Sequence, residues 1–142
     1  MENLMNEVIE IANEVYATLG EGHAEKVFEE AMSVEMRLRG VFYETERNTE
    51  VFYKGHKVGS QRLDFVVDNR LVVELKAGVA LTKLNINQIK GYLKTMNIDK
   101  GLLINFPYPQ TEEIDFKKIT VTRCLTTDAP QIAPASTRLI EV

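Results

Sequence analysis

The stretch LDFVVDNRLVVELK, Leu63 to Lys76, sets two apolar runs around Asp68-Asn69 and interrupts them with Asp64, Glu74 and Lys76. Side chains alternate along a strand, so the connection between the runs decides which residues share a face. A two-residue turn would pair Asp64 with Val73 and set the apolar residues of one strand against the charged residues of the next. The hydrophobic pattern excludes that register. A three-residue connection, Asp68 to Arg70, pairs Asp64 with Glu74 and Arg62 with Lys76. Leu63, Phe65, Val73 and Leu75 then fall together on a core side, and this odd-length loop is the expectation.

Directly opposed strand residues have Cβ atoms about 4.5–5.5 Å apart, close enough for two carboxylates to converge on one cation. Held together without a cation, they repel and raise an apparent pKa. Three readings stay open on the hairpin alone. The charges trim a solvated strand, or they neutralise one another through Asp64–Lys76 and Arg62–Glu74 diagonals, or they bind an oxygen-seeking ion such as Mg²⁺ or Mn²⁺.

Upstream, Leu4, Val8, Ile11 and Val15 recur at helical spacing, and Gly20 and Gly22 interrupt the pattern. A second helix is expected from about Ala24 to Arg39, burying Val27, Ala31, Val34 and Leu38, with Gly40 as its stop. Then come β-rich runs, VFYETE, TEVFYK and HKVG, with Lys54-Gly55-His56 as a hairpin tip. Helical period returns near Thr82 with Ile86, Ile89, Leu93 and Met96. GLLINF reads as a central buried strand and KKITVTR as another. The expected order is αα-ββββ-α-ββ, an α/β (α+β) domain with a mixed β-sheet flanked by helices over residues 1–125. Residues 126–142, with two prolines in DAPQIAPAS, are expected to form a C-terminal tail, with TRLIEV docking back.

A chain of 142 residues suffices for one domain with its own core. The single cysteine, Cys124, excludes an intrachain disulfide and a cysteine-based zinc cluster. The acidic start MENLMNEVIE is unlike a signal peptide, and no apolar run is long enough to span a bilayer, so a cytoplasmic protein is expected. The net charge of −4 argues against a general affinity for nucleic acid. Lys83, Lys90, Lys94 and Lys100 nevertheless cluster locally, as a solvated helix face or as a basic patch. His23 and His56 lie in or beside turns without spaced partners and are expected to be solvated.

Two further features bear on the charged hairpin. In GHAEKVF, Glu25 falls in the first turn of the second helix, where the helix dipole favours an acid and where a carboxylate can also aim toward the sheet. In QIKGY, Gln88 and Tyr92 lie four apart on one helical face, as a half-buried aromatic with a polar neighbour or as a pair suited to phosphate and base contacts. The order is more specific than any member: a helix acid, Asp64, then Glu-x-Lys on the next strand, then Gln-x-x-x-Tyr on the following helix.

That ordered set resembles the core signature of the PD-(D/E)xK nuclease superfamily, in the branch of lambda exonuclease and RecB-type nucleases. The segments LGEGHAEKVFEEAM, YKGHKVG, LDF, VVELK, QIKGYLK and GLLINF more closely resemble the bacterial GxxExxY proteins, over roughly Leu4 to Val121. The resemblance implies a restriction-endonuclease-like fold. It implies Mg²⁺ or Mn²⁺ bound by Asp64, Glu74 and the Leu75 carbonyl, with Glu25 completing the site through water. Lys76 would orient or activate the attacking water, making Asp64, Glu74 and Lys76 the catalytic set. Gln88 and Tyr92 would face nucleic acid, expected to be DNA, and Arg62, beside the site, joins them. Phe28 stands where the naming motif has tyrosine, and Leu63 where the superfamily label has proline. The function implied is metal-dependent phosphodiester hydrolysis. The alternative is a non-catalytic nucleic-acid or protein interaction module on the same fold. Ring-forming relatives bring a homo-oligomer into view.

Overall fold

A computed structural model describes residues 1–107, 114–125 and 137–141. Two helices open the chain, α1 (Glu2–Leu19) and α2 (Glu25–Leu38). The strands β1 (Tyr43–Tyr53), β2 (His56–Val67) and β3 (Leu71–Gly78) follow, then helix α3 (Lys83–Met96) and strands β4 (Lys100–Pro107), β5 (Asp115–Leu125) and β6 (Thr137–Glu141). The strands lie in chain order from β1 to β6. β3 and β4 are parallel, with α3 as their crossover, and the other neighbouring pairs are antiparallel. The result is a mixed sheet flanked by helices, and β6 pairs with the second half of β5. Most of the expected tail, 126–136 and 142, lies outside the described residues.

Only three strands separate α2 from α3, against four expected. VFYETE and TEVFYK belong to the single strand β1, and HKVG runs on unbroken into LDFVV as β2. Polar runs such as RNTE look like a break in sequence, yet Arg47 to Glu50 stay in register with Leu63 to Ser60 of the partner strand, whose ladder hydrogen bonds come at alternate residues. The hairpin tip is Lys54-Gly55, both at positive φ (48° and 82°) between the paired residues Tyr53 and His56. That is the geometry of a two-residue turn whose twist matches the strands.

Both faces of the sheet are covered, which is why Leu71 to Leu75 are buried without alternation. On one face α1 and α2 pack Val8, Ile11, Phe28, Met32 and Met36 against Phe65, Val73, Leu75, Ile104 and Phe106. On the other, Ile89 and Leu93 of α3 pack on Leu63, Val66, Val72 and Leu103. The Thr82 and Asn85 side chains cap the start of α3 reciprocally, and Asn97 closes its end at φ 59°.

The stripe expected on α2 is wrong by one position around the helix. Val27, Val34 and Leu38 are exposed, and Phe28, Glu29, Met32, Ser33 and Met36 are buried. Phe28, Met32 and Met36 are larger than the aliphatic set, and Phe28 stacks on Phe106 with ring centroids 4.2 Å apart, so this face removes more apolar area from water. Phe28 at the motif's tyrosine position is therefore a core residue.

α3 sits close on β4 because Gly101 has no side chain. A Cβ there would lie 2.9 Å from Ile89 Cδ1 and 3.3 Å from Leu93 Cδ1. Alanine would displace only the flexible end of Ile89, whereas valine would press on the helix itself. Gly101→Val is expected to cost roughly 1–3 kcal/mol and Gly101→Ala less, read from denaturation midpoints.

Candidate active site

The three-residue connection Asp68-Asn69-Arg70 is present. Phe65 faces Val73, Val66 faces Val72 and Val67 faces Leu71, and the Arg70 N–H donates to the Val67 carbonyl at 3.0 Å. Asp68 and Asn69 take left-handed φ values of 51° and 56°, which their short polar side chains tolerate better than most. Beyond Phe65 and Val73 the backbone ladder ends and side chains take over its hydrogen bonds. The Asp64 N–H donates to Glu74 Oε1 at 2.9 Å, and the Leu75 N–H donates to Asp64 Oδ2 at 2.8 Å. The two carboxyls are thus inserted where β2 parts from β3, each anchored by the other strand's backbone.

The distortion reaches β1. The β1–β2 register runs Thr45–Phe65 and Arg47–Leu63 but skips Glu46, which stands across from Asp64 at φ 55°. Leu63, expected beside Phe65, Val73 and Leu75, packs instead with Val66 and Val72 under α3. Alternation on β2 therefore breaks at Asp64. A left-handed non-glycine residue costs about 1 kcal/mol or more and persists only where surrounding structure holds it.

Electrostatics follow from burial. Glu74 is 6% exposed; burial first, and the Asp64 charge second, push its carboxyl up to about 8. Burial also raises Asp64, against the Leu75 N–H bond and the Lys76 charge. The carboxyls are hydrogen-bonded to each other, an arrangement that stabilises charge on Asp64 and the proton on Glu74. The pair therefore holds one proton in common over neutral pH.

Lys76, Glu25, Tyr92 and Arg62 act electrostatically with the pair. Lys76 is half-buried, and its charge acts on Glu25, Asp64 and Glu74. Glu25, at the first position of α2, accepts a hydrogen bond from the Ala77 N–H. Desolvation raises its carboxyl, the Asp64 charge adds to this, and Lys76 opposes it. From the opposite side Tyr92 of α3 is half-buried, its phenol raised by burial and then by Glu74 and Asp64. Gln88, one turn before, is exposed. Arg62 does not pair with Lys76 or Glu74; it forms an ion pair with Glu46. Of the clustered lysines, Lys83 and Lys94 are exposed on α3, and Lys100 donates to Thr120 Oγ1 at 3.1 Å. His23 and His56 are exposed, as expected.

Three residues escaped the sequence reading. Glu29 is 9% exposed; its carboxyl is raised by burial and next by Asp64, with Lys26 Nζ 3.6 Å away. Its position one turn after Glu25 was a usable signal, because residues four apart share a helical face. Glu46 is held below the usual carboxylate range, first by its hydrogen bond from Lys26 and also by Arg62; a positive φ on a glutamate has no sequence signature. Asn105 is 1% exposed within β4, and a lone amide in GLLINF was a readable anomaly.

A hard divalent cation suits this donor set. Each carboxylate of the pair has one oxygen fixed by a backbone N–H, and the burial and repulsion that retain the shared proton are what a dication would relieve. Among the described residues no group of three His, Cys, Asp or Glu side chains converges into a cation cage. Two carboxylates with water and phosphate supplying the rest is a common arrangement for Mg²⁺.

Comparisons with known proteins bear on the family and the fold. The sequence profile of the PD-(D/E)XK nuclease superfamily matches residues 2–119. The chain belongs to the PD-(D/E)XK nuclease superfamily. Nucleases of this superfamily generally use divalent metals. The crystal structure of SSO0001 is similar in fold, with a TM-score of 0.52 at 20% identity, over 67% of this chain and 48% of that one. The chain thus spans about half the length of that relative. No curated protein matches. Among the described residues of this PD-(D/E)XK protein, no helix is long and apolar enough to cross a membrane.

Proposed function

We propose that this protein is a metal-dependent nuclease that hydrolyses phosphodiester bonds of DNA in the cytoplasm, within the GxxExxY group of the lambda exonuclease and RecB-like branch. The observation that carries the reading is the buried Asp64–Glu74 pair at the parting of β2 and β3, with Lys76 beside it. Gly22, Glu25 and Phe28 keep the spacing of that group's motif, with phenylalanine in place of tyrosine.

Asp64, Glu74 and the Leu75 carbonyl would hold Mg²⁺ or Mn²⁺, with Glu25 joining through water. The ion would supply a Lewis acid at the phosphate and a lowered pKa for water. Lys76 offers a positive charge for a phosphate oxygen and a donor to fix the attacking water. Tyr92 and the exposed Gln88 present a phenol and an amide along one face of α3, and Arg62 an exposed cation on β2, for contacts to the DNA backbone.

The test is cleavage of single-stranded, double-stranded and branched DNA, with RNA alongside, in Mg²⁺ and in Mn²⁺, paired with calorimetric Mn²⁺ titration. Wild type should bind Mn²⁺ and cut DNA, and Asp64→Asn should lose both while melting no lower. Binding of Mn²⁺ and DNA without any cleavage would instead support a non-catalytic module. Absence of Mn²⁺ binding would remove the proposed centre altogether.

A further inference from the structure

Asn105 lies on β4 in register with Lys76 of the parallel strand β3, so the two side chains rise from the same face of the sheet. Its Nδ2 donates to the Gly78 carbonyl at 3.0 Å. A carbonyl only accepts, so this bond fixes which end of the amide is nitrogen. The other end, Oδ1, is buried and has no hydrogen-bond partner. Buried polar atoms nearly always find one, and an orphan in an otherwise ordered strand calls for a donor that the present arrangement does not supply.

The side chain that faces Asn105 in register on β3 is the Lys76 ammonium. β3 lies between β2 and β4, so Lys76 has Asp64 on one side and Asn105 on the other. While the carboxylates are free of metal, they are the ammonium's natural partners, and its charge acts on Asp64 and Glu74. A dication between those carboxylates would take over their charge and repel the ammonium, which must then find a neutral acceptor. We infer that Asn105 Oδ1 is that acceptor: Asn105 is a positioning residue that seats the Lys76 ammonium on the β4 side when the carboxylate pair holds a divalent ion. The inference rests on the metal site proposed above. A neutral amide suits the task, because it accepts the ammonium without competing for the ion as a third carboxylate would.

The experiment is nuclear magnetic resonance on the full chain, labelled with ¹⁵N at lysine Nζ and ¹³C at side-chain carboxyls, titrated with Mg²⁺ alone. In wild type the Lys76 ammonium protons should exchange slowly once Mg²⁺ is bound. Asn105→Leu should abolish that protection. If Asn105→Leu does not fold, Asn105→Ala is read in the same way.

Lys76 exchange that is equal in wild type and Asn105→Leu overturns the seat. The Asp64 and Glu74 carboxyl carbons report separately on the metal. If they shift with Mg²⁺ and Lys76 ignores Asn105, only this inference fails. If they do not shift, the metal reading fails, and the seat that rests on it is overturned with it. In cleavage, Asn105→Leu should lower kcat about tenfold or more with KM for DNA unchanged, the mark of a misplaced group rather than lost binding. A change in melting temperature with kcat untouched would make Asn105 structural and overturn the assignment.

Discussion

Glu74→Gln melts higher than wild type at pH 8, and the gain disappears as the pH falls toward 4.5. The sign follows from the raised carboxyl. Glu74 ionises near its ordinary 4.5 in the unfolded chain and at about 8 in the folded one. The folded state therefore keeps its full stability below the unfolded value and loses it progressively as pH rises through about 8. Glutamine never ionises, so it matches wild type in acid and exceeds it in mild base. Its Oε1 still accepts the Asp64 N–H, and its amide hydrogens replace the shared proton. A shift of this direction at a buried group is worth on the order of a few kcal/mol, or roughly 10 °C in melting temperature for a chain of this size. Mg²⁺ should narrow the gap by stabilising wild type alone. Scanning calorimetry at pH 5 and pH 8 checks it, and a variant that melts lower at both would mean that the carboxyl holds the strands together rather than straining them.

The same tension explains how much of the site was legible from sequence. The register of β2 on β3 could be derived, because one face of each strand must be apolar and only an odd loop at Asp68 to Arg70 satisfies both. The parallel strand GLLINF and the helix at Thr82 were equally readable, since α3 keeps its period and caps itself with Thr82 and Asn85. The buried stripe of α2 was not, because two apolar stripes compete on that helix and the choice depends on Phe106, which lies 78 positions after Phe28 in the chain. Glu46 and Leu63 were unreadable for a related reason. Both respond to the interruption at Asp64, where a side chain replaces the backbone as hydrogen-bond partner, and local pattern assumes an unbroken ladder.

Glu29 and Lys26 extend this picture beyond the pair. α2 delivers two acids toward Asp64, exposed Glu25 and buried Glu29, and a lysine that bridges Glu29, Glu30 and Glu46. Arg62 meets Glu46 from β2. The positive charges at this edge are thus shared with glutamates, and the acids nearest Asp64 are raised rather than neutralised. Burial is the leading cause of the raised carboxyls at Glu25, Glu29, Asp64 and Glu74, and Lys76 or Lys26 opposes it only in part.

Lys76→Met separates charge balance from catalysis. In the absence of metal the variant should melt lower than wild type as pH rises, because Glu25, Asp64 and Glu74 all lose the one cation that opposes their desolvation in common. Adding Mn²⁺ should reverse that order of effects. With the ammonium gone a dication enters without like-charge repulsion, and relief of only about 1.4 kcal/mol tightens binding tenfold. Cleavage should nonetheless fall by about 10²–10³-fold or more, because the group proposed to stabilise charge at phosphorus is missing when it is needed. Calorimetric titration and single-turnover cleavage on the same preparation test both halves. Tighter Mn²⁺ with lost cleavage would assign the lysine to the chemical step. Weaker Mn²⁺ together with lost cleavage would make it a structural support of the carboxylates, and wild-type cleavage would remove it from the site.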